Sequence, residues 1–464
     1  HLEFQKRVLH EAIDDRTPLL ERVRFLGIVT RNLDEFFMKR VGGLKQQIGA
    51  GVTDPTVDGR TPREQWMEIL ATTAPMFDRQ TECYQEIVRP ALAEAGVEIV
   101  DHAALTAAER ERMRAYFEES VLPTLTPLAF DPAHPFPFIS NLSLSLGAFV
   151  RHGLDDDPVF TRIKIPQNRP RLVPVDEGSR YVLLEDLIEA HLDLLMPNVE
   201  VLDTALFRIT RNAEVRHDQE VAEDLIEAIE EVIEQRRFAT AVRLEISADA
   251  PEAMVDLLKR QLDLDPAEVF YRDGPLDYRD FATLTDLDRP ELKRESWSPL
   301  PHPRFAEGPA ADVTAPGADL FDEIARDDVL LHHPYHSFDG TVQRFLDAAA
   351  NDPDVLAIKA AIYRTASDSQ VIQRLIDAAD NGKQVAVMVE LKARFDEQNN
   401  LQWVRKLEEN GIHVAYGTVG LKTHTKTALV VREEDDGVTL YSHVATGNYH
   451  SETAKGYVDL GLLT

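Results

Sequence analysis

From Leu2 to about Val97 the apolar positions recur every three or four residues, most clearly in LLERVRFLGIVTRNLDEFFMKRVGGL, residues 19–44. That spacing predicts helices with one buried stripe, and Gly42-Gly43 interrupts it without introducing a strand alternation. Residues 1–97 therefore read as a helical N-terminal domain, with Asn32, Asp34 and Glu35 on the polar face of a helix. Residues 98–310 change character: short apolar runs such as LSLSLGAFV and RLVPV are separated by proline and glycine, and a long helical segment follows from Asp218 to Arg237. This predicts an α+β head domain. Pro123–Ser140 is too proline-rich for a helix or a central strand and reads as an ordered, rigid loop. Trp297–Pro316, dense in proline, alanine and glycine, reads as a linker. In the third domain, residues 311–464, β-branched runs (DVLAIKAAIY, KQVAVMVEL, IHVAYG) alternate with amphipathic helices (SQVIQRLIDAADNG, NNLQWVRKLEENG). Such alternation predicts βαβ units and a parallel sheet covered by helices. TKTALVVRE and GVTLYSHVA add a strand pair around the acidic turn EEDDG.

Composition narrows the function classes. A chain of 464 residues fits about two to four domains, each with its own core. No uninterrupted apolar run approaches the roughly 18 residues of a membrane span. Cys83 is the single cysteine, so neither an internal disulfide nor a thiolate metal cage is available, and cytoplasm is the default location. A formal net charge of -31 argues against sequence-independent nucleic-acid binding, which needs a basic face. Yet six of the 13 lysines, Lys359, Lys383, Lys392, Lys406, Lys422 and Lys426, fall in one stretch. Arg364, Arg374, Arg394 and Arg405 join them, so an acidic chain carries a basic island. The chain opens at His1 inside what reads as an amphipathic helix and stops at Thr464 straight after an apolar segment; both ends are expected to be internal to a longer protein.

In open α/β sheets, catalytic groups gather at the carboxyl ends of strands. Applied to the third domain, that rule collects Arg364 after Tyr363, Lys392 and Arg394 after VMVEL, His424 and Lys426 at the start of the ALVV strand, and Thr446-Gly447-Asn448 after YSHVA. Imidazole, ammonium, guanidinium and a small polar turn together suit the holding of a phosphoryl group. His424 can act there as nucleophile or general base, and Lys426, two residues on in extended backbone, points to the same side. His332, His333 and His443 are further histidines, but His332 and His333 face opposite ways in a strand, which disfavours a paired metal site. Asp396 and Glu397 read as the start of a helix, where acidic groups complement the dipole.

The runs LLHHPYHSF (330–338), LAIKAAIYRT (356–365), VELKARFDEQNN (389–400), GLKTHTK (420–426), TGNYH (446–450) and TAKGYVDLGLLT (453–464) resemble the type-1 polyphosphate kinases. RNLDEFFMKRVGGL and LTPLAFDPAHPFPFISNLSLSLG extend the resemblance over the whole chain. It implies a multidomain α and α/β protein: a helical N-terminal domain, an α+β head domain and two C-terminal domains of phospholipase D-like α/β fold, of which the first is present. The chemistry implied is reversible transfer of the terminal phosphate of ATP to inorganic polyphosphate through a phosphohistidine, with Mg²⁺ as cofactor and ATP/ADP as the nucleotide pair.

By the same resemblance His424 is the phosphorylated histidine, and Arg364 and Arg394 occupy the magnesium-site positions. An arginine has no lone pair for a cation, so these two are expected to clamp phosphate oxygens beside the metal. Lys426 and Lys422 add positive charge, Asn448 supplies the polar turn, and Asn32 and Tyr457 match nucleotide contacts, which puts the expected ATP site between the first and third domains. A neutral imidazole, with an unperturbed pKa of about 6.5, is available as a nucleophile near pH 7. The implied partners are ATP and polyphosphate without nucleic acid, and a homo-oligomer, dimer or tetramer, through the head domain; peripheral membrane association is allowed. Local departures are Arg31, His336 and His450. Val431 stands where phospholipase D-like enzymes have an aspartate, which weighs against phosphodiester hydrolysis. The family's second C-terminal domain brings an arginine and a second histidine to the ATP site. Without it, the alternative is a non-catalytic fragment that binds polyphosphate or other polyanions.

Overall fold

The computed structural model describes residues 1–130, 135–151, 153, 157–176, 178–213, 238–305, 318–363, 369–391, 397–417 and 421–464. The chain divides into two compact units, residues 1–213 with 238–295, and residues 296–464. The expected helix Asp218–Arg237 and the later part of the expected linker lie outside the described residues.

The first unit begins with helices α1 (Leu2–Ile13) and α2 (Leu19–Phe36). On α2 the apolar stripe Leu20, Val23, Leu26, Val29 and Leu33 is buried, as the three-four spacing requires. Gly42-Gly43 does not end the helical run: a π turn, Phe37–Val41, leads directly into a helix at Gly42–Gly49. The reason for glycine is space, since a Cβ on Gly42 would lie 2.1 Å from Asn212 Oδ1. A capping box, Thr61 with Glu64, opens the long helix Pro62–Glu82.

Strands follow in chain order: β1 (Glu98–Ile99), β2 (Leu128–Phe130), β3 (Leu144–Arg151), β4 (Val159–Lys164), β5 (Leu172–Pro174), β6 (Arg180–Leu183), β7 (Glu200–Arg211), β8 (Ala241–Ser247) and β9 (Val269–Arg272). They form a three-stranded sheet, β1-β6-β5, and a six-stranded sheet, β2-β4-β3-β7-β8-β9. The segment read as a loop at 123–140 therefore contains a strand, β2. It sits at the sheet edge, where flanking prolines cost no ladder bond.

Asp34 is not on a polar helix face. It is buried, and its two oxygens accept from Arg208 and Arg243, both almost fully buried. Glu245 accepts from Arg208 at 2.8 Å and from Arg272 at 3.2 Å, and Arg243 lies 4.5 Å over the Phe37 ring. Buried charges persist only when paired in this way. The network seats α2 on the six-stranded sheet.

In the second unit, β10 (Val329–His333), β11 (Val355–Ile362), β12 (Gln384–Val389), β13 (His413–Tyr416), β14 (Lys426–Glu434), β15 (Gly437–Ala445) and β16 (Asp459–Leu463) form one sheet in the order β10-β16-β15-β14-β11-β12-β13. The expected parallel sheet is mixed. Only β11-β12-β13 is parallel, and β14, β15, β16 and β10 pair antiparallel. The TKTALVVRE and GVTLYSHVA runs pair as β14 and β15 around Glu434↔Gly437. Helices Arg344–Asn351, Gln370–Asp380 and Glu397–Glu409 bury Phe345, Leu375 and Val404 in the core with Ile358, Val387 and Val430 of the sheet. Part of the expected linker is bound to this unit. Trp297 Nε1 donates to Pro334 O at 3.0 Å, Leu300 bridges His336, and Phe305 is buried. No helix among the described residues is long and apolar enough to cross a membrane.

Candidate functional site

Strand direction brings the candidate residues of the second unit to one edge of the sheet. Parallel β11, β12 and β13 end there; antiparallel β14 begins there, with Thr427 opposite Ala361. β15 ends there, with Ala445 opposite Lys426, and β16 begins there, with Asp459 opposite His333 at the end of β10. The topology thus gathers Tyr363, Glu390, the 421–426 loop, the 446–448 turn and Tyr457.

His424 and Lys426 meet on one ring. The exposed His424 imidazole contacts Tyr363 edge to face, centroids 4.8 Å apart, and Lys426 Nζ lies 5.0 Å from the same ring centroid. Lys426 is only 3% exposed, and its Nζ donates to His424 O at 2.7 Å. A buried ammonium resting on a π face and bonded to a carbonyl holds a fixed positive charge behind the imidazole-bearing residue.

Glu390, which sequence reading did not single out, anchors that loop. It is 2% exposed, and its Oε2 accepts from Thr423 N at 2.7 Å, one residue before His424. Asn400 ties the two strand ends together: its Nδ2 donates to Tyr363 O at 3.0 Å and to Glu390 O at 2.8 Å. Both residues lie within the quoted VELKARFDEQNN run, but a carboxylate closing an apolar strand carries no local sign of what it will bond.

The Thr446-Gly447-Asn448 turn is held from both ends. Thr446 Oγ1 donates to Asp459 Oδ1 at 2.8 Å and accepts from Leu460 N at 3.0 Å. A Cβ on Gly447 would lie 2.8 Å from the Asp459 carboxylate, so the turn can close only with glycine. Beyond it, Tyr449 OH bonds His443 Nδ1 at 2.8 Å, with both residues buried. Burial pushes the His443 imidazole down to about 3, with neighbouring His333 adding to the effect, and pushes the Tyr449 phenol up. Both are neutral at pH 7. Asn448 Oδ1 is buried without a hydrogen-bond partner among the described residues.

Lys422 and Tyr457 are exposed at the same edge. Asn32 lies in the first unit, where its Nδ2 donates to Gln5 Oε1 at 3.0 Å. Arg364, Lys392, Arg394 and Asp396 lie outside the described residues; Glu397 opens the helix Glu397–Glu409. His332 and His333 do not form a metal pair: His333 Nδ1 is bonded to His336 O at 2.9 Å, and among the described residues no group of three His, Cys, Asp or Glu is placed to hold a metal.

Three family models cover most of the chain in order: the polyphosphate kinase N-terminal domain at residues 1–100, the middle domain at 108–284 and C-terminal domain 1 at 319–464. The chain belongs to the polyphosphate kinase family. The polyphosphate kinase of Synechocystis sp. is 47% identical over 482 residues, spanning 100% of this chain and 66% of its own. That of Streptomyces coelicolor is 48% identical over 467 residues, spanning 100% and 61%. The crystal structure of polyphosphate kinase from Porphyromonas gingivalis superposes with a TM-score of 0.80 at 28% identity, over 100% of this chain and 65% of that one. The chain thus spans just under two thirds of the length of these polyphosphate kinases.

Proposed function

We propose that this chain carries the phosphohistidine-forming part of a polyphosphate kinase, which transfers the terminal phosphate of ATP to inorganic polyphosphate and back. The observation that carries the reading is the meeting of His424 and Lys426 on Tyr363, beside the Asn448 turn, at one sheet edge. A ring nitrogen of His424 attacks the γ-phosphorus, and the bond to the β-phosphate oxygen breaks as ADP leaves. A terminal polyphosphate oxygen then attacks that phosphorus, and the N–P bond breaks. Little covalent help is needed beyond positioning and neutralisation of charge.

Lys426 and Lys422 supply part of that neutralisation, with Arg364 and Arg394 as phosphate clamps. Asn448 supplies the polar turn beside them, and Asn32 and Tyr457 are the nucleotide contacts. Mg²⁺ belongs to the substrate in this scheme. The described site side chains are mainly lysines, histidine and an amide, a poor shell for a hard cation, and the Glu390 and Asp459 carboxylates are already bonded to Thr423 N and Thr446 Oγ1. The metal therefore rides on the phosphates of ATP.

The basic island on a chain of net charge -31 draws polyphosphate toward this edge and away from the rest of the surface. Consecutive matches to three kinase domains favour turnover over simple polyanion binding. Homo-oligomerisation through the head domain and a cytoplasmic location belong to the same proposal. The test is acid-labile, base-stable phosphate on His424 after incubation with Mg²⁺-ATP. Phosphate on another residue, with His424→Ala labelled like the parent, removes His424 as the nucleophile.

A further inference from the structure

A cavity of about 540 Å³ opens in the first unit between Leu142–Leu144, the segment 165–172 and the segment 277–284. None of its lining residues belongs to the set assigned above to phosphoryl transfer. Its volume falls within the roughly 300–1,000 Å³ typical of small-molecule sites. Its lining includes the apolar side chains of Leu144, Ile165, Leu172 and Leu284, the Tyr181 ring, and three arginines, Arg169, Arg171 and Arg279.

The three guanidinium groups differ in how far they are already used. Arg171 is fixed by Glu185, Nε to Oε1 at 2.9 Å and Nη2 to Oε1 at 2.5 Å, and donates through Nη1 to Asp277 O. Arg279 grips the Asp277 carboxylate through Nε at 2.9 Å and Nη2 at 2.5 Å, which leaves Nη1 over. Arg208, behind them, lies 3.6 Å from Asp277 Oδ2, so that carboxylate is fully neutralised. Asp280 also lines the cavity, 3.8 Å from Arg171 Nη1, and burial pushes its carboxyl up. Arg169 has no ion-pair partner among the described residues, and its Nε is buried without a hydrogen-bond acceptor. A buried N–H left unpaired is costly unless a ligand supplies the acceptor, and the rest of this half-exposed guanidinium stays open to the cavity side.

We propose that this cavity binds an organic phosphate of about mononucleotide size, its phosphate on Arg169 and the free edge of Arg279, its planar body on the apolar side chains and Tyr181. Guanidinium forks are the groups best matched to phosphate oxygens. The apolar part of the lining distinguishes an organic phosphate from inorganic polyphosphate, which has nothing to bury there.

The test is photo-crosslinking of the whole 464-residue chain with 8-azido-ADP, followed by peptide mapping. Labelled peptides are expected from 165–181 or 277–284, protected by excess ADP and not by the same concentration of tripolyphosphate. Arg169→Ala should cut that labelling roughly tenfold or more, the loss of one charge-assisted donor, with an unchanged melting temperature. Thr283→Trp, an exposed rim position, should block it without altering charge, and His424→Ala should leave it intact. Labelling confined to other segments, equal labelling of Arg169→Ala, or full protection by tripolyphosphate overturns the proposal. None of these outcomes depends on whether His424 is the nucleophile.

Discussion

His443 makes the stability of the second unit sensitive to acid by an amount the structure sets. The imidazole is 1% exposed, bonded through Nδ1 to Tyr449 OH, and held down to about 3 by burial. In the unfolded chain it titrates near 6.5. A group whose folded pKa lies below its unfolded value takes up its proton first in the unfolded state, so acid favours unfolding. Its contribution is complete above about pH 6.5 and is lost as the pH falls toward 3. At about 1.36 kcal/mol per pH unit below the unfolded pKa, moving from well above pH 6.5 to pH 5 removes about 2 kcal/mol through this residue alone. His333, His336 and His302 are lowered by burial as well, so the parent's total pH slope is steeper. His443→Asn isolates the term, because asparagine can still bond Tyr449 OH and does not titrate. Urea unfolding of both proteins at pH 7.0, 6.0 and 5.0 should show a constant packing penalty in the variant and a slope lower by nearly one proton between pH 6 and 5. In parallel, the His443 ring proton shifts should not move between pH 8 and 5. Equal slopes in the two proteins, or a His443 titration near pH 6.5, would refute the argument.

Other perturbations follow from the same contacts. Glu390→Gln replaces a charge-assisted acceptor at Thr423 N with a neutral one, and should cost about 1 kcal/mol; a lower melting temperature together with slower phosphorylation at His424 is expected, and neither changes if Glu390 does not anchor that loop. Gly447→Ala drives a methyl into the Asp459 carboxylate and should cost about 1–3 kcal/mol by calorimetry, with the largest loss in turnover if the Asn448 turn touches substrate. Asp34→Asn leaves Arg208 and Arg243 short of charge in a dry interior and should destabilise the first unit by about 3–5 kcal/mol, read as a drop in its unfolding midpoint. Lys426→Ala should lower the rate of His424 phosphorylation on the order of 10²- to 10³-fold if Lys426 acts on the developing charge; a rate within threefold of the parent assigns it to packing alone.

Local pattern was enough for some of this architecture and not for the rest. The alternation in TKTALVVRE and GVTLYSHVA, with an acidic turn between, carries its own pairing, and β14 and β15 form where that pattern puts them. The direction of β14 against β11 depends on partners some 70 residues apart in sequence, such as Ala361 and Thr427, and no local period encodes it; hence the mixed sheet in place of a parallel one. Asp34 looked like one more polar position on a helix because its partners, Arg208 and Arg243, lie 174 and 209 residues away. The strand-end rule did gather the 446–448 turn, which follows β15; His424 and Lys426 stand at the start of β14 and reach the same edge because β14 runs antiparallel to β11. It passed over Glu390 and Asn400, whose roles consist of bonds to main-chain groups of other strands and loops.

The central claim is that His424 takes the phosphate. Intact-mass spectrometry of the chain and of His424→Ala after incubation with Mg²⁺-ATP, kept at alkaline pH throughout, tests it most directly. One added phosphate on the parent, lost in acid and absent from the variant, is the predicted result. An equal phosphate on His424→Ala, or a parent left unphosphorylated when joined to the remaining length that its relatives possess, would contradict it.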